Sequence, residues 1–153
     1  MTKAQERVAI AKDAIRQINA GRYYVETGGW CSIDRTDTIN QELLTRRDRP
    51  VCNVCALGAA MASSLRLFNI GQIGSGEAST WDVDQQLSRF FSPNQMTLIE
   101  AAFECRGTGL GAFGGNVSDA QIVATARLGI LEDKSRALNI FRNIIKNGGT
   151  FIP

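Results

Sequence analysis

Apolar residues recur at alternating steps of four and three from the start of the chain: Ala4, Val8, Ala11, Ile15 and Ile18. That spacing puts them on one face of a helix over about Thr2 to Ala20. Lys3, Glu6, Asp13 and Arg16 fall mostly off the stripe. Gly21 ends the helix, because glycine tolerates positive φ. The texture then changes. Tyr23, Tyr24 and Val25 favour an extended strand, and Gly28-Gly29 permits a turn before Trp30. Residues 22–31 therefore read as a small extended or hairpin segment. Residues 32–50 are polar and charged, and read as a long exposed loop with a short helical turn near Glu42.

A second helix is expected from near Cys52 to Phe68. Its interior is crowded with Ala56, Gly58, Ala59, Ala60, Ala62, Ser63 and Ser64, while Leu57, Met61, Leu65 and Phe68 form a larger stripe. Few charges interrupt it, so it is the candidate central buried helix. Residues 71–76 connect to a short helix from Asp82 to Phe91. Ser92-Pro93-Asn94-Gln95 is a start signal: Ser92 caps, Pro93 fits the first helical position and Gln95 reaches back. That helix runs to about Cys105 with Met96, Ile99 and Phe103 inward. The same Ser-x-x-Gln pattern at Ser118 to Gln121 opens a helix that Gly129 ends.

The last helix, from about Leu131 to Lys146, should bury Leu131, Leu138, Phe141, Ile144 and Ile145. Asn147-Gly148-Gly149 closes it, and Phe151 and Ile152 fold back on the core. The pattern predicts a mostly α fold: a single-domain helical bundle of about five or six helices over residues 1–153, with the extended segment near residues 22–31.

A chain of 153 residues buries roughly 68–70% of its unfolded surface and needs no disulfide or metal merely to fold. The 17 basic and 15 acidic residues give a net charge of +2, which argues against an acidic DNA mimic and gives no strong basic footprint for nucleic acid. Residues 106–153 carry six basic and three acidic side chains, a net +3, against −3 for the two basic and five acidic side chains of residues 51–105. Offsets of this size read as solvated surface. No apolar run follows the N-terminal charges as a secretory signal requires. The longest uncharged, largely apolar run, Val54 to Ala62, is far short of the roughly 20 residues of a membrane span. The expectation is a cytoplasmic protein without membrane contact, its four cysteines reduced or metal-bound.

Cys52-Asn-Val-Cys55 is a C-x-x-C, and Cys31 and Cys105 complete a possible set of four. Four thiolates can enclose zinc, but a second close pair is missing and the chain has no histidine. Cysteines among alanines on a helix are more often small core residues. No cofactor is therefore expected, with zinc on Cys31, Cys52, Cys55 and Cys105 as the alternative. A redox role for the same pair lacks the βαβ context of thioredoxin-like motifs.

Gly109, Gly111 and Gly114 satisfy G-x-G-x-x-G. Such a loop can turn backbone N–H groups toward a phosphate. Here it follows a helix and not a strand, and lacks a P-loop ending. A packed helix connection, with Leu110 and Phe113 tucked inward, explains it as well. Tyr23, Tyr24 and Trp30 with Arg22 and Arg35 could stack and hold a nucleobase, although aromatics beside a strand usually pack into the core. The absence of histidine removes the commonest general base. Asp82, Asp84, Glu100 and Glu104 suit solvated helix faces as well as a paired-acid site.

Loops on a rigid scaffold commonly carry binding groups. The candidate ligand surface therefore joins Arg22, Tyr23, Tyr24, Trp30 and Arg35 to Arg106, Gly109, Gly111 and Gly114. The aromatics would provide apolar area and Arg22, Arg35 and Arg106 would attract an anion.

The opening helix, Gly28-Gly-Trp-Cys31, Val51-Cys-Asn-Val-Cys-Ala-Leu-Gly-Ala59 and the tail Ala137 to Pro153 together resemble a family of small uncharacterised bacterial and phage proteins. Those proteins pair a G-W-C turn with a C-A-L-G-A helix start. The resemblance spans about half the chain and transfers no catalytic residue. It implies a non-enzymatic phage or prophage accessory protein in the host cytoplasm. Such a protein would bind a host protein or sequester a small anionic, nucleotide-like defence signal, and could be a homo-oligomer. The alternative is a small cysteine-based zinc or redox domain.

Overall fold

The computed structural model describes residues 1–33, 38–105 and 113–153. Helix α1 (Lys3–Asn19) starts at a capping box in which Thr2 and Gln5 exchange side-chain and backbone hydrogen bonds. Its buried face is Ile10, Ala11, Ala14 and Ile18, with Asp13 and Gln17. Ala4, Val8 and Ile15 are only half-buried. The buried stripe is thus rotated from the expected one, and it carries a carboxylate that the pattern put outside. Asp13 is tolerated because Arg66 forks onto both of its oxygens, Nε at 2.9 Å from Oδ2 and Nη2 on Oδ1.

Three strands follow, β1 (Tyr23–Val25), β2 (Cys31–Ser32) and β3 (Cys52–Val54), in the order β1-β3-β2. The extended segment expected near residues 22–31 is present as β1 and β2, but not as a hairpin. β1 and β2 never pair: β3 lies between them, parallel to β1 with Tyr23 beside Cys52 and antiparallel to β2 with Cys31 beside Val54. A segment distant in sequence has supplied the central strand, which the local periodicity of residues 22–31 could not reveal. Cys52 is therefore a strand residue and not the first turn of a helix.

Residues 38–50 are not a free loop. Helix α2 (Gln41–Thr45) buries Leu43 and Leu44, and Ile39 pairs with Ile73. Helix α3 (Ala56–Phe68) begins at Cys55, whose sulfur accepts the Gly58 N–H at 3.3 Å. Every residue from Ala56 to Leu65 is buried, so the expected central helix is present. Its small residues have a direct reason: a Cβ on Gly58 would lie 1.5 Å from the Trp30 carbonyl oxygen.

Helices α4 (Thr80–Leu87) and α5 (Pro93–Glu104) follow, capped by Ser79 and Ser92. Gln95 does not reach back to the cap. Its amide instead brackets Phe151, donating to the carbonyl at 2.9 Å and accepting the N–H at 2.6 Å. Helix α6 (Asp119–Thr125), opened by the Ser118–Gln121 box, runs into a 3-10 helix, Ala126–Ile130. The final helix α7 (Asp133–Lys146) packs on α1 and α5. Phe151 returns to the core, whereas Ile152 stays exposed. One apolar cluster extends from Ile10 to Phe151. The described residues form seven α-helices and the small sheet, a mostly α fold organised around α3. Among these residues no helix is long and apolar enough to cross a membrane.

Candidate functional site

Of the loop residues expected to form one surface, Arg35, Arg106, Gly109 and Gly111 lie outside the described residues, as does Leu110. The others divide between surface, core and one contact between the two segments. Arg22 and Tyr24 are exposed. Tyr23 is 2% exposed, and its hydroxyl is 3.3 Å from Ser63 Oγ. Burial pushes its pKa well above the ordinary tyrosine value. It is a core residue and presents no face to a ligand, which corrects its assignment as a stacking group. The cause is the strand register: Tyr23 stands beside Cys52 on the covered face of the sheet.

Trp30 and Phe113 meet edge to face, ring centroids 5.6 Å apart, and the Trp30 indole N–H donates to Thr80 Oγ1 at 3.1 Å. The two segments therefore touch at this point. Among the described residues, the charged groups beside the contact are acidic: Glu104 accepts the Gly28 N–H at 3.5 Å, and Glu100 and Glu104 both act on Cys55. Phe113 is buried, and Gly114, at φ +66, has open space around it.

Cys31, Cys52 and Cys55 come near one another, but Cys105 caps the far end of α5 and packs against Gly129. Among the described residues no group of three or more His, Cys, Asp or Glu side chains is placed to hold a metal ion.

A different concavity has the chemistry that the loops were expected to supply. Helix α7 buries Ala137, Leu138, Ile140, Phe141 and Ile144. Its other face carries Asn139, Arg142, Asn143 and Lys146, at steps that place them in one row. The 3-10 helix brings Arg127 and Leu128 alongside, and the returning tail supplies Phe151. Together these seven residues line an open hollow of about 370 Å³. Two features build it. Arg136 is buried and locks α7 to α5, donating to the Phe103 and Leu131 carbonyls and to Asp133. Asn143 fixes the tail: its Nδ2 donates to the Ile152 carbonyl at 2.6 Å and its Oδ1 accepts the Ile152 N–H at 2.9 Å.

Arg127, Arg142 and Lys146 make no ion pair among the described residues. Three cations without a carboxylate around an apolar-floored hollow can hold an anion, with the planar guanidinium groups suited to phosphate or carboxylate oxygens. Sequence reasoning missed these residues. The one available signal was the net +3 of residues 106–153, taken there as solvated surface. Phe151, on the returning tail, completes the lining. No protein-family model, curated protein sequence or solved structure matches this chain.

Proposed function

We propose that this chain is a non-enzymatic binding protein for a small anionic, nucleotide-like ligand, held in the hollow between the 3-10 helix and α7. The observation that carries the reading is the convergence of Arg127, Arg142 and Lys146, none of them paired with an acid among the described residues, on a recess of about 370 Å³. That volume is within the range of small-molecule sites. Leu128, half-buried, offers apolar contact beneath the charges, and Asn139 adds an amide. The family resemblance supplies a context, in which a phage accessory protein sequesters a phosphate-bearing defence signal.

The test is a thermal-shift screen with inorganic phosphate, pyrophosphate and nucleotides, followed by calorimetry. Pyrophosphate or a nucleotide should raise the melting temperature saturably. The effect should shrink as salt rises, since the cations are exposed and screened. Arg142→Glu should abolish it at unchanged melting temperature of the free protein. No shift with any of these anions at low salt contradicts the proposal.

A second reading, contact with a host protein, is favoured by one observation. Trp81 is 68% exposed and directly follows Thr80, which receives the Trp30 indole. Exposed tryptophans are enriched at protein interfaces.

A further inference from the structure

After α7 the chain turns back through two glycines with positive φ, Gly148 at +64° and Gly149 at +100°. Gly149 is the anchor. Its N–H donates to the Ile144 carbonyl at 2.8 Å, and its carbonyl accepts from Arg7 Nε at 2.5 Å. A Cβ there would lie 2.6 Å from the Ala4 carbonyl oxygen, so the turn presses on the start of α1. Beyond Gly149 the attachment changes character. Among the described residues, no backbone-to-backbone hydrogen bond reaches residues 150–153. Two side-chain amides hold them instead. Gln95, in the first turn of α5, engages the N–H and the carbonyl of Phe151, and Asn143 on α7 engages those of Ile152. In an extended backbone the polar groups of one residue point to one side and those of the next to the other. The bonding is that of an extended segment gripped on its two edges, with the Phe151 ring buried.

Asn143 and Phe151 also line the hollow beside Arg142 and Lys146. A withdrawn tail would take Phe151 from that lining. It would leave the Asn143 carboxamide with Asn147 as its hydrogen-bond partner among the described residues.

We infer that residues 150–153 are a strap whose docking is coupled to anion binding, with Asn143 as the link. The inference rests on the anion site proposed above. A segment held by one buried ring and side-chain hydrogen bonds, without a backbone ladder, opens locally at lower free energy than the helices it lies on. The complete hollow exists only while the strap is docked. A ligand that binds the docked form and not the open one shifts the balance toward docking, by one plus the ratio of its concentration to its Kd. Gln95 separates this coupling from direct contact. It does not line the hollow, so it acts on the ligand only through the strap.

The test is amide hydrogen exchange of the full chain, read at single residues, with and without pyrophosphate. In the free protein the Phe151 and Ile152 amides should exchange faster than those of Ile140, Phe141 and Ile144 within α7. Pyrophosphate at about 100 times its Kd should slow both about a hundredfold. Local exchange in α2, which packs on α3, should keep its rate. Gln95→Ala should speed exchange at Ile152, which Gln95 does not touch, because the strap opens as a unit. Arg142→Glu should keep the free rates and lose the slowing. Circular dichroism confirms that the variants remain folded, and the wild-type rates decide alone if one does not. Tail amides as slow as the α7 interior in the free protein would overturn the inference, as would an Ile152 rate unmoved by Gln95→Ala. Calorimetry on the same samples separates the remaining failures. Absence of pyrophosphate binding overturns the anion site and the coupling with it, whereas bound pyrophosphate with unslowed tail amides overturns the coupling alone.

Discussion

Asp13 shows how a single residue can reverse its sequence assignment. It is 1% exposed, on a buried face it shares with Gln17 and apolar residues, and four groups surround it: Arg66, Arg16, Gln17 and, more distantly, Tyr23. Its oxygens hold the Arg66 guanidinium in the charged form. Gln17 in turn binds Arg49, whose cation sits 5.7 Å from the centre of the Tyr23 ring. Removing one partner of such a pair strands the other. Asp13→Ala should cost about 3 kcal/mol, at the low end for a buried pair because the Arg66 head is partly open to solvent. Urea unfolding of the reduced protein measures it. A cost below about 0.5 kcal/mol, the scale of surface changes, would mean that the pair is solvated.

The buried acids also set a pH dependence. Burial pushes the Cys55 thiol up to about 12 and raises the Tyr23 hydroxyl further above its ordinary value. In the unfolded chain these groups ionise near about 8.5 and about 10. Above those values the unfolded state has lost protons that the folded state keeps, so stability falls as pH rises. The Cys55 contribution is intact below about pH 8.5 and declines toward pH 12. Melting temperatures of reduced protein taken from about pH 8 to about pH 11 should fall. Cys55→Ser should lessen the slope, since serine keeps the cap and does not titrate there. A slope unchanged by this substitution would contradict the burial argument for Cys55.

Among the elements, helices were the most legible. Thr2, Ser92 and Ser118 announce their helices through local hydrogen bonds that the sequence spells out. The absence of charge in Ala56–Leu65 marks α3 as central. The sheet was not legible, because the three residues of β3, Cys52-Asn53-Val54, alternate too briefly to be told from the start of the helix that follows. Its partners lie some distance up the chain. Gln95 shows the same limit in miniature: its capping spacing is real, but Phe151 offers its amide a better pair of bonds.

The contact of α3 with the Trp30 backbone yields a sharp expectation. In Gly58→Ala the new methyl meets a carbonyl and not a flexible side chain. Either β2 or the helix start must move. The cost should be about 3 kcal/mol, read by denaturant unfolding, with circular dichroism to show that the helices persist. A neutral Gly58→Ala would show that the helix start does not approach Trp30 as described.

At the scale of the molecule, the two candidate surfaces differ in the charges that the described residues bring to them. The Trp30–Phe113 contact is bordered by Glu104, and the Gly-rich stretch that gave it its phosphate chemistry is largely outside the described residues. The α7 hollow combines helix, 3-10 helix and tail, so its residues are scattered from Arg127 to Phe151. No short window of sequence displays it. The most direct measurement is amide chemical-shift mapping of the isotopically labelled chain during titration with pyrophosphate and with a nucleotide at low salt. Saturable shifts should concentrate on residues 126–130, 139–146 and 151, and should vanish in Arg142→Glu. Shifts centred instead on Gly28, Trp30 and Phe113, or no saturable shifts at all, would contradict anion binding on α7.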